Sequence, residues 1–220
     1  MRLDAALAER IRHKYRLKNT TGLSLNALVD YDQPLDILQH LLVGSEGTLG
    51  FISAVTYDTV PDHPHKASAL LVFPSVESCC RAVPVLKQQP VSAVELLDRR
   101  SLRSVQDKPG MPAFVRELSN NACALLIESR AASSALLHEQ LAQIMASLAA
   151  FPVEKQVDFS EDPAENARLW AIRKDTFPAV GAVRQTGTTV IIEDVTFPVE
   201  QLAIGVNRLI ELFDKHHYDD

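Results

Sequence analysis

The stretch Gly44 to Gly50, GSEGTLG, places three glycines, a serine, a threonine and a glutamate within seven residues. Gly44, Gly47 and Gly50 permit positive φ and let another group approach the backbone closely. Ser45 and Thr48 add hydroxyls that donate or accept. Such a loop suits a planar or phosphate-bearing cofactor, but it is not a Walker A loop. No Lys-Ser/Thr pair follows the last glycine, and Glu46 would repel a phosphate beside its side chain. Ligand contacts would therefore come from backbone N–H groups and hydroxyls; the competing reading is a tight turn into a strand. Further on, Arg173 and Arg184 offer guanidinium groups, which hold a carboxylate through two parallel, charge-assisted hydrogen bonds. On residue type alone, Arg173 reads as a cation on a helix surface. Glu193 and Asp194 follow three apolar residues; neighbours in a strand point to opposite faces, so these carboxylates cannot share one site. His63, His65 and Asp62 have the chemistry of metal ligands, but on a proline-broken loop they read as a polar linker.

The elements that must position these residues follow from hydrophobic periodicity. Leu3, Leu7 and Ile11 predict a helix over 3–17, with its cations toward the C-terminal end. Pro34 opens a short helix that feeds the glycine loop, and Phe51 to Val60 reads as a strand. The linker PDHPHK, residues 61–66, divides the chain. Beyond it, strands are predicted at 67–73, 92–98, 122–129 and 153–159. A helix capped by Ser75 carries Val76, Cys80, Val83 and Lys87, and a second spans 134–149. The order β-α-β-β-α-β is the ferredoxin-like plan: an α+β fold whose antiparallel sheet has helices on one face. The chain runs past that unit with a helix starting at Asp162-Pro163, a fifth strand at 188–197, and a last helix carrying Leu202, Val206, Leu209 and Phe213.

Composition excludes several classes of function. The chain has 220 residues, 46% hydrophobic and 23% charged, with a formal net charge of −6 and no basic block. Nucleic acid and anionic membrane surfaces are poor partners for such a surface. No apolar run approaches membrane-spanning length, and the N-terminus lacks a signal-peptide core. Cys79, Cys80 and Cys123 follow no metal spacing and read as buried thiols of a reducing compartment, which implies a cytoplasmic location.

NTTGLSLNAL, residues 19–28, followed by LLVGSEGTLGFISAVT, closely resembles the end of the flavin-binding domain in FAD-linked oxidases and dehydrogenases. That family includes enzymes acting on D-lactate, glycolate and D-2-hydroxyglutarate. AVELLD, LLIES, the LWxxR run at 169–173 and EDVTFP at 193–198 resemble its substrate, or cap, domain. The IIEDV form looks most like the large bacterial dehydrogenases of D-2-hydroxyglutarate. The resemblance implies a tail of the flavin domain over 1–60 and an incomplete cap domain over 61–220, cut from a longer enzyme. It implies that Thr21, Gly22, Gly44, Ser45, Glu46, Gly47, Thr48, Gly50 and Phe51 lie against FAD.

By the same resemblance Arg173 holds the carboxylate of a 2-hydroxy acid, with Arg184 a second candidate cation and Asp194 a candidate catalytic carboxylate. Where related members commonly carry a lysine in the acidic strand, Ile192 stands here. The second substrate cation then falls to Arg184 or to a residue outside this chain. The family's N-terminal diphosphate-binding half and C-terminal histidine metal site have no counterpart in these residues. The piece alone is expected to be inactive, to bind FAD weakly or not at all, and to self-associate through its apolar 41–60 face. The other reading is a free-standing ferredoxin-like module for ligand binding or dimerisation. A sensor of that kind has no reason to carry the NTTG segment and the glycine loop at this spacing.

Overall fold

A computed structural model describes residues 4–17, 22–183, 186–187 and 195–217. The chain divides into two compact units, Met1–Val60 with Ile192–Pro198, and Pro61–Ile191 with Val199–Asp220.

In the first unit α1 (Ala5–Lys14) starts where Asp4 accepts the Leu7 N–H at 2.9 Å, satisfying a donor that the helix leaves free. Its Ala8 and Ile11 pack with Val29 of α2 (Ala27–Asp30). Tyr15 ties the turn that follows, donating to Leu23 C=O at 2.6 Å and accepting from Leu25 N–H. Helix α3 (Pro34–Leu42) begins on proline, whose fixed φ suits a first turn. Residues 51–60, predicted as a strand, are not one: the whole run is extended or irregular, without ladder pairing. The reason is that a strand forms through its neighbour's N–H and C=O groups, and no described segment supplies them. Phe51 is 93% exposed in consequence.

The second unit is built on β1 (His65–Phe73), β2 (Ala93–Leu97), β3 (Cys123–Ala131) and β4 (Lys155–Ser160), in the spatial order β2-β3-β1-β4, all antiparallel. This is the ferredoxin-like order. Helices α4 (Val76–Leu86) and α6 (Ser134–Leu148) cover one face, as the pattern predicts, each capped by a serine, Ser75 and Ser133. The buried residues of α4 are Cys79, Cys80, Ala82 and Leu86, with Val76 and Val83 packed against the core; of the predicted Val76-Cys80-Val83-Lys87 stripe only Lys87 is exposed. Helices α5 (Arg99–Val105) and α7 (Pro163–Val183) cover the second face, beyond the minimal plan. That double cover explains why ALLVF and CALLI are unbroken apolar runs: both faces of β1 and β3 are buried. Leu71, Phe73, Leu125 and Ile127 point to α4 and α6, whereas Leu70, Val72, Ala124 and Leu126 point to α5 and α7. Each fully buried large side chain contributes about 1.5–3 kcal/mol. Helix α8 (Leu202–Lys215) lies against α4. The predicted fifth strand falls at 188–194 outside the described residues, and 195–197 are not a strand. No helix among the described residues is long and apolar enough to cross a membrane.

All three thiols are buried in this unit. Burial pushes Cys79 far up, with Cys123 beside it adding to the shift, and pushes Cys80 up to about 12. Thiolate is the reactive form, so a disulfide-forming reagent at neutral pH should titrate none of the three in the native protein. All three should react once the chain is unfolded in denaturant. Rapid modification of a native thiol would contradict the burial.

Candidate functional site

Register places a polar patch at one end of the α7 face of the sheet. Along β3, Ala124, Leu126, Glu128 and Arg130 share that face. They are joined by Ser68 and Lys66 from β1 and by Ala93, Glu95 and Leu97 from β2. The apolar end of this series is core; Glu128, only 5% exposed, marks the change.

A buried carboxylate is costly unless its oxygens are hydrogen-bonded, and here both are. Trp170 Nε1–H donates to Glu128 Oε2 at 2.7 Å, and the Ser68 hydroxyl donates to the same oxygen at 3.3 Å. Arg130 Nε donates to Oε1 at 2.5 Å. Arg130 also reaches Asp62 at 3.2 Å, and Lys66 meets the same carboxylate oxygen at 2.8 Å. These two cations, Lys66 foremost, hold the Asp62 carboxyl below its ordinary range. Asp62 is thus engaged by cations rather than grouped with His63 and His65. Among the described residues no three His, Cys, Asp or Glu side chains converge on a metal position.

Helix α7 is aimed over this patch by its first turn. Asp162 Oδ1 accepts the Ala164 N–H at 3.0 Å, fulfilling the predicted cap. Asn166 then accepts the Ser68 N–H at 3.0 Å, at the point where the β1–β4 register shifts, and donates to Lys66 C=O. Leu169 and Ile172 enter the core, which leaves Trp170 above Glu128 and Arg173 beside β2. Arg173 Nε lies 3.3 Å from Glu95 Oε2, and its side chain is 49% exposed. Ser92, Ala93, Glu128, Arg130, Trp170 and Lys174 line an open cleft of about 530 Å³.

The sequence reading named Arg173 but gave no role to Glu128, Arg130, Trp170, Lys174 or Glu95. The available signal was Glu128 itself, a carboxylate inside the apolar run LLIES. Arg99 and Arg100, neighbours in the first turn of α5, behave differently from each other. Arg100 pairs with Asp214 of α8 at 3.2 Å. Arg99 begins α5 but is buried, and its Nε and Nη1 have no partner among the described residues. Burial lowers its pKa, and Arg103 lowers it further.

The glycine loop belongs to the first unit. Thr48 N–H closes a turn on Ser45 C=O at 2.9 Å, with positive φ at both central residues, Glu46 (50°) and Gly47 (80°). That is the type I′ pattern, which a glutamate enters at a cost of roughly 1–3 kcal/mol. Thr48 Oγ1 also donates to Ser45 C=O, at 2.6 Å, and the Ser45 side chain is turned inward. The Thr48 hydroxyl therefore serves the loop itself. A Cβ added at Gly22, Gly44 or Gly47 would meet nothing within 4 Å, so the backbone there is open to a close neighbour. Gly50 is tighter, with Leu42 Cδ2 at 3.4 Å from such a Cβ. This open backbone fits a flat or phosphate-bearing cofactor such as FAD. Thr21, Arg184 and Asp194 lie outside the described residues.

A ferredoxin-like sheet backed on both faces by helices, with a charged cleft under one of them, defines an α+β architecture. Residues 62–219 match the family model described as FAD linked oxidases, C-terminal domain, and the chain belongs to that family. It is 31% identical over 173 residues to the mitochondrial D-lactate dehydrogenase [cytochrome] of Arabidopsis thaliana, covering 78% of this chain and 29% of that protein. Glycolate oxidase subunit GlcD of Escherichia coli (strain K12) is 31% identical over 158 residues, 69% of this chain and 30% of the subunit. The D-2-hydroxyglutarate dehydrogenase of Pantoea ananatis is 24% identical over 208 residues, 89% of this chain and 20% of the enzyme. The chain thus spans less than a third of the length of each of these relatives.

Proposed function

We propose that this chain is part of an FAD-dependent oxidoreductase of a D-2-hydroxy acid, of the lactate or 2-hydroxyglutarate type, and that Arg173 receives the acid's carboxylate. The observation that carries the reading is the family match over 62–219, within which a half-exposed Arg173 stands beside the cleft under α7. FAD, when bound, supplies the acceptor for the hydride that leaves the substrate α-carbon. The chain's own part is to bind and orient. In this reading Arg173 leaves Glu95 for the bidentate carboxylate of the substrate. Arg184 is assigned as a second cation and Asp194 as a catalytic carboxylate. On the cofactor side, the backbone at Gly22, Gly44, Glu46 and Gly47 lies against the flavin, with Thr21, Ser45, Thr48 and Gly50 shaping the approach and Phe51 packing on it.

The domain assignment belongs to the same proposal: 1–60 is the end of the flavin domain and 61–220 the substrate domain. The unpaired 51–60 run, rich in exposed apolar side chains, then finds its strand partners in the remainder of the enzyme. The buried, unpaired thiols support a cytoplasmic location.

The test is the visible spectrum of the full-length enzyme, recorded anaerobically while D-lactate, glycolate and D-2-hydroxyglutarate are added in turn. The flavin absorbance should bleach with one acid. An enzyme that carries no flavin and takes none up would sink the reading and leave GSEGTLG as a turn.

A further inference from the structure

We propose that the cleft under Trp170 is a second anion site, with Lys174 as its principal cation, which accepts the distal acidic group of a dicarboxylic 2-hydroxy acid. The assignment of this group to a substrate rests on the function proposed above; the binding site itself does not.

The argument begins with how the charges around the cleft are used. Glu128 lines it, but its oxygens are occupied by Trp170, Ser68 and Arg130. The carboxylate is therefore matched, and it fixes the positions of the indole and the guanidinium. Helix α7 carries three cations. Arg168 pairs with Glu165 and Arg173 with Glu95, whereas Lys174 has no carboxylate partner among the described residues. Lys174 and Trp170 are four residues apart and so lie one above the other on the helix. Arg130 also lines the cleft. Arg130 is already shared between Glu128 and Asp62, so Lys174 is the lining cation with no carboxylate partner among the described residues.

Position then separates Lys174 from Arg173. Neighbours on an α-helix diverge by about 100°, so the two side chains do not serve one carboxylate in the same way. Arg173 is directed to β2 by Glu95; Lys174 lines the cleft. Trp170 and Ala93 give the cleft apolar walls suited to a short methylene chain. At about 530 Å³ it far exceeds the needs of a two- or three-carbon acid and falls in the range of pockets for small organic ligands. A second carboxylate placed there gains charge-assisted contacts that a monocarboxylate cannot make.

Trp170 is the sole tryptophan of the chain, so its fluorescence reports this cleft directly, without turnover. The experiment titrates the full-length enzyme with the non-reactive probe glutarate at constant ionic strength. Acetate and sulfate are run in parallel. Any other tryptophans of the longer enzyme are replaced by phenylalanine. Glutarate should change Trp170 emission saturably, at least about tenfold more tightly than acetate. Lys174→Gln should weaken glutarate about tenfold while leaving acetate unchanged, and Lys174→Arg should restore most of the binding. Unchanged emission of the unliganded variants shows that the fold is kept. Equal responses to glutarate, acetate and sulfate overturn the proposal, as does a Lys174→Gln variant that binds glutarate normally. The two readings fail separately. Flavin bleaching without a glutarate response removes only this site, and a glutarate response in an enzyme without flavin removes only the oxidoreductase.

Discussion

Glu128→Ala should lower the stability of the sheet unit by about 2–4 kcal/mol, a large effect for one polar residue. The substitution does more than remove contacts. It strips the acceptor from the fully buried Ser68 hydroxyl and leaves the Trp170 indole N–H only the longer contact to Ser68 Oγ, at 3.2 Å. It also removes the carboxylate that accepts from Arg130 Nε. Since Arg130 keeps Asp62 and is partly open to water, its share of the loss is the smaller one. Glu128→Gln retains an oxygen for Trp170 but turns an amide toward Arg130, and should cost about 1 kcal/mol. Urea unfolding monitored by circular dichroism measures both. The midpoint should fall with unchanged slope, in the order Glu128→Ala below Glu128→Gln below the parent. A Glu128→Ala protein within about 0.5 kcal/mol of the parent would mean that water replaces the carboxylate without cost, and that Trp170 is not fixed by it.

In the full-length enzyme, Arg173→Gln should reduce kcat/KM for the 2-hydroxy acid by about 100- to 1000-fold, with flavin content unchanged. The size follows from losing a bidentate, charge-assisted carboxylate pair that holds the substrate in the transition state, on the order of 3–4 kcal/mol. Glu95 supplies a control of opposite sign. It occupies Arg173 at 3.3 Å, so it competes with any incoming carboxylate. Glu95→Gln should therefore tighten KM severalfold, whereas a Glu95 that only supports the helix would leave it unchanged or raise it. Steady-state kinetics with the bleaching acid decides the matter. A change below about threefold for Arg173→Gln would take the substrate carboxylate away from this residue.

Much of the fold was legible in the sequence because its signals are local. Ser75 and Ser133 before amphipathic runs, and Asp162-Pro163 before LWAIR, mark helix starts through the free N–H groups of a first turn. ALLVF and CALLI mark strands buried on both faces, and the order of elements limits the sheet to a ferredoxin-like plan. The 51–60 run shows where local signals end. Its β-type residues are unmistakable, yet it is no strand here, because strand structure depends on a neighbour.

The turn of the glycine loop was likewise legible from residue type and spacing, whereas Arg173 stood out only through the family resemblance. What the chain order could not show is which charges meet. Glu128 and Trp170 are 42 residues apart, and Arg173 and Glu95 are 78 apart. Their meeting depends on strand register, since a shift of one residue in β3 would turn Glu128 to the α4 and α6 face. It also depends on the direction of α7, set by Asn166 holding the edge of β1. The sequence by itself determined the strands and helices of the four-stranded sheet and their order, because caps and periodicity act over a few residues. Its resemblance to known members pointed to the family. Only the tertiary structure decided that a carboxylate within an apolar strand would anchor a tryptophan and an arginine around a cleft, because register and helix packing act over the whole sheet.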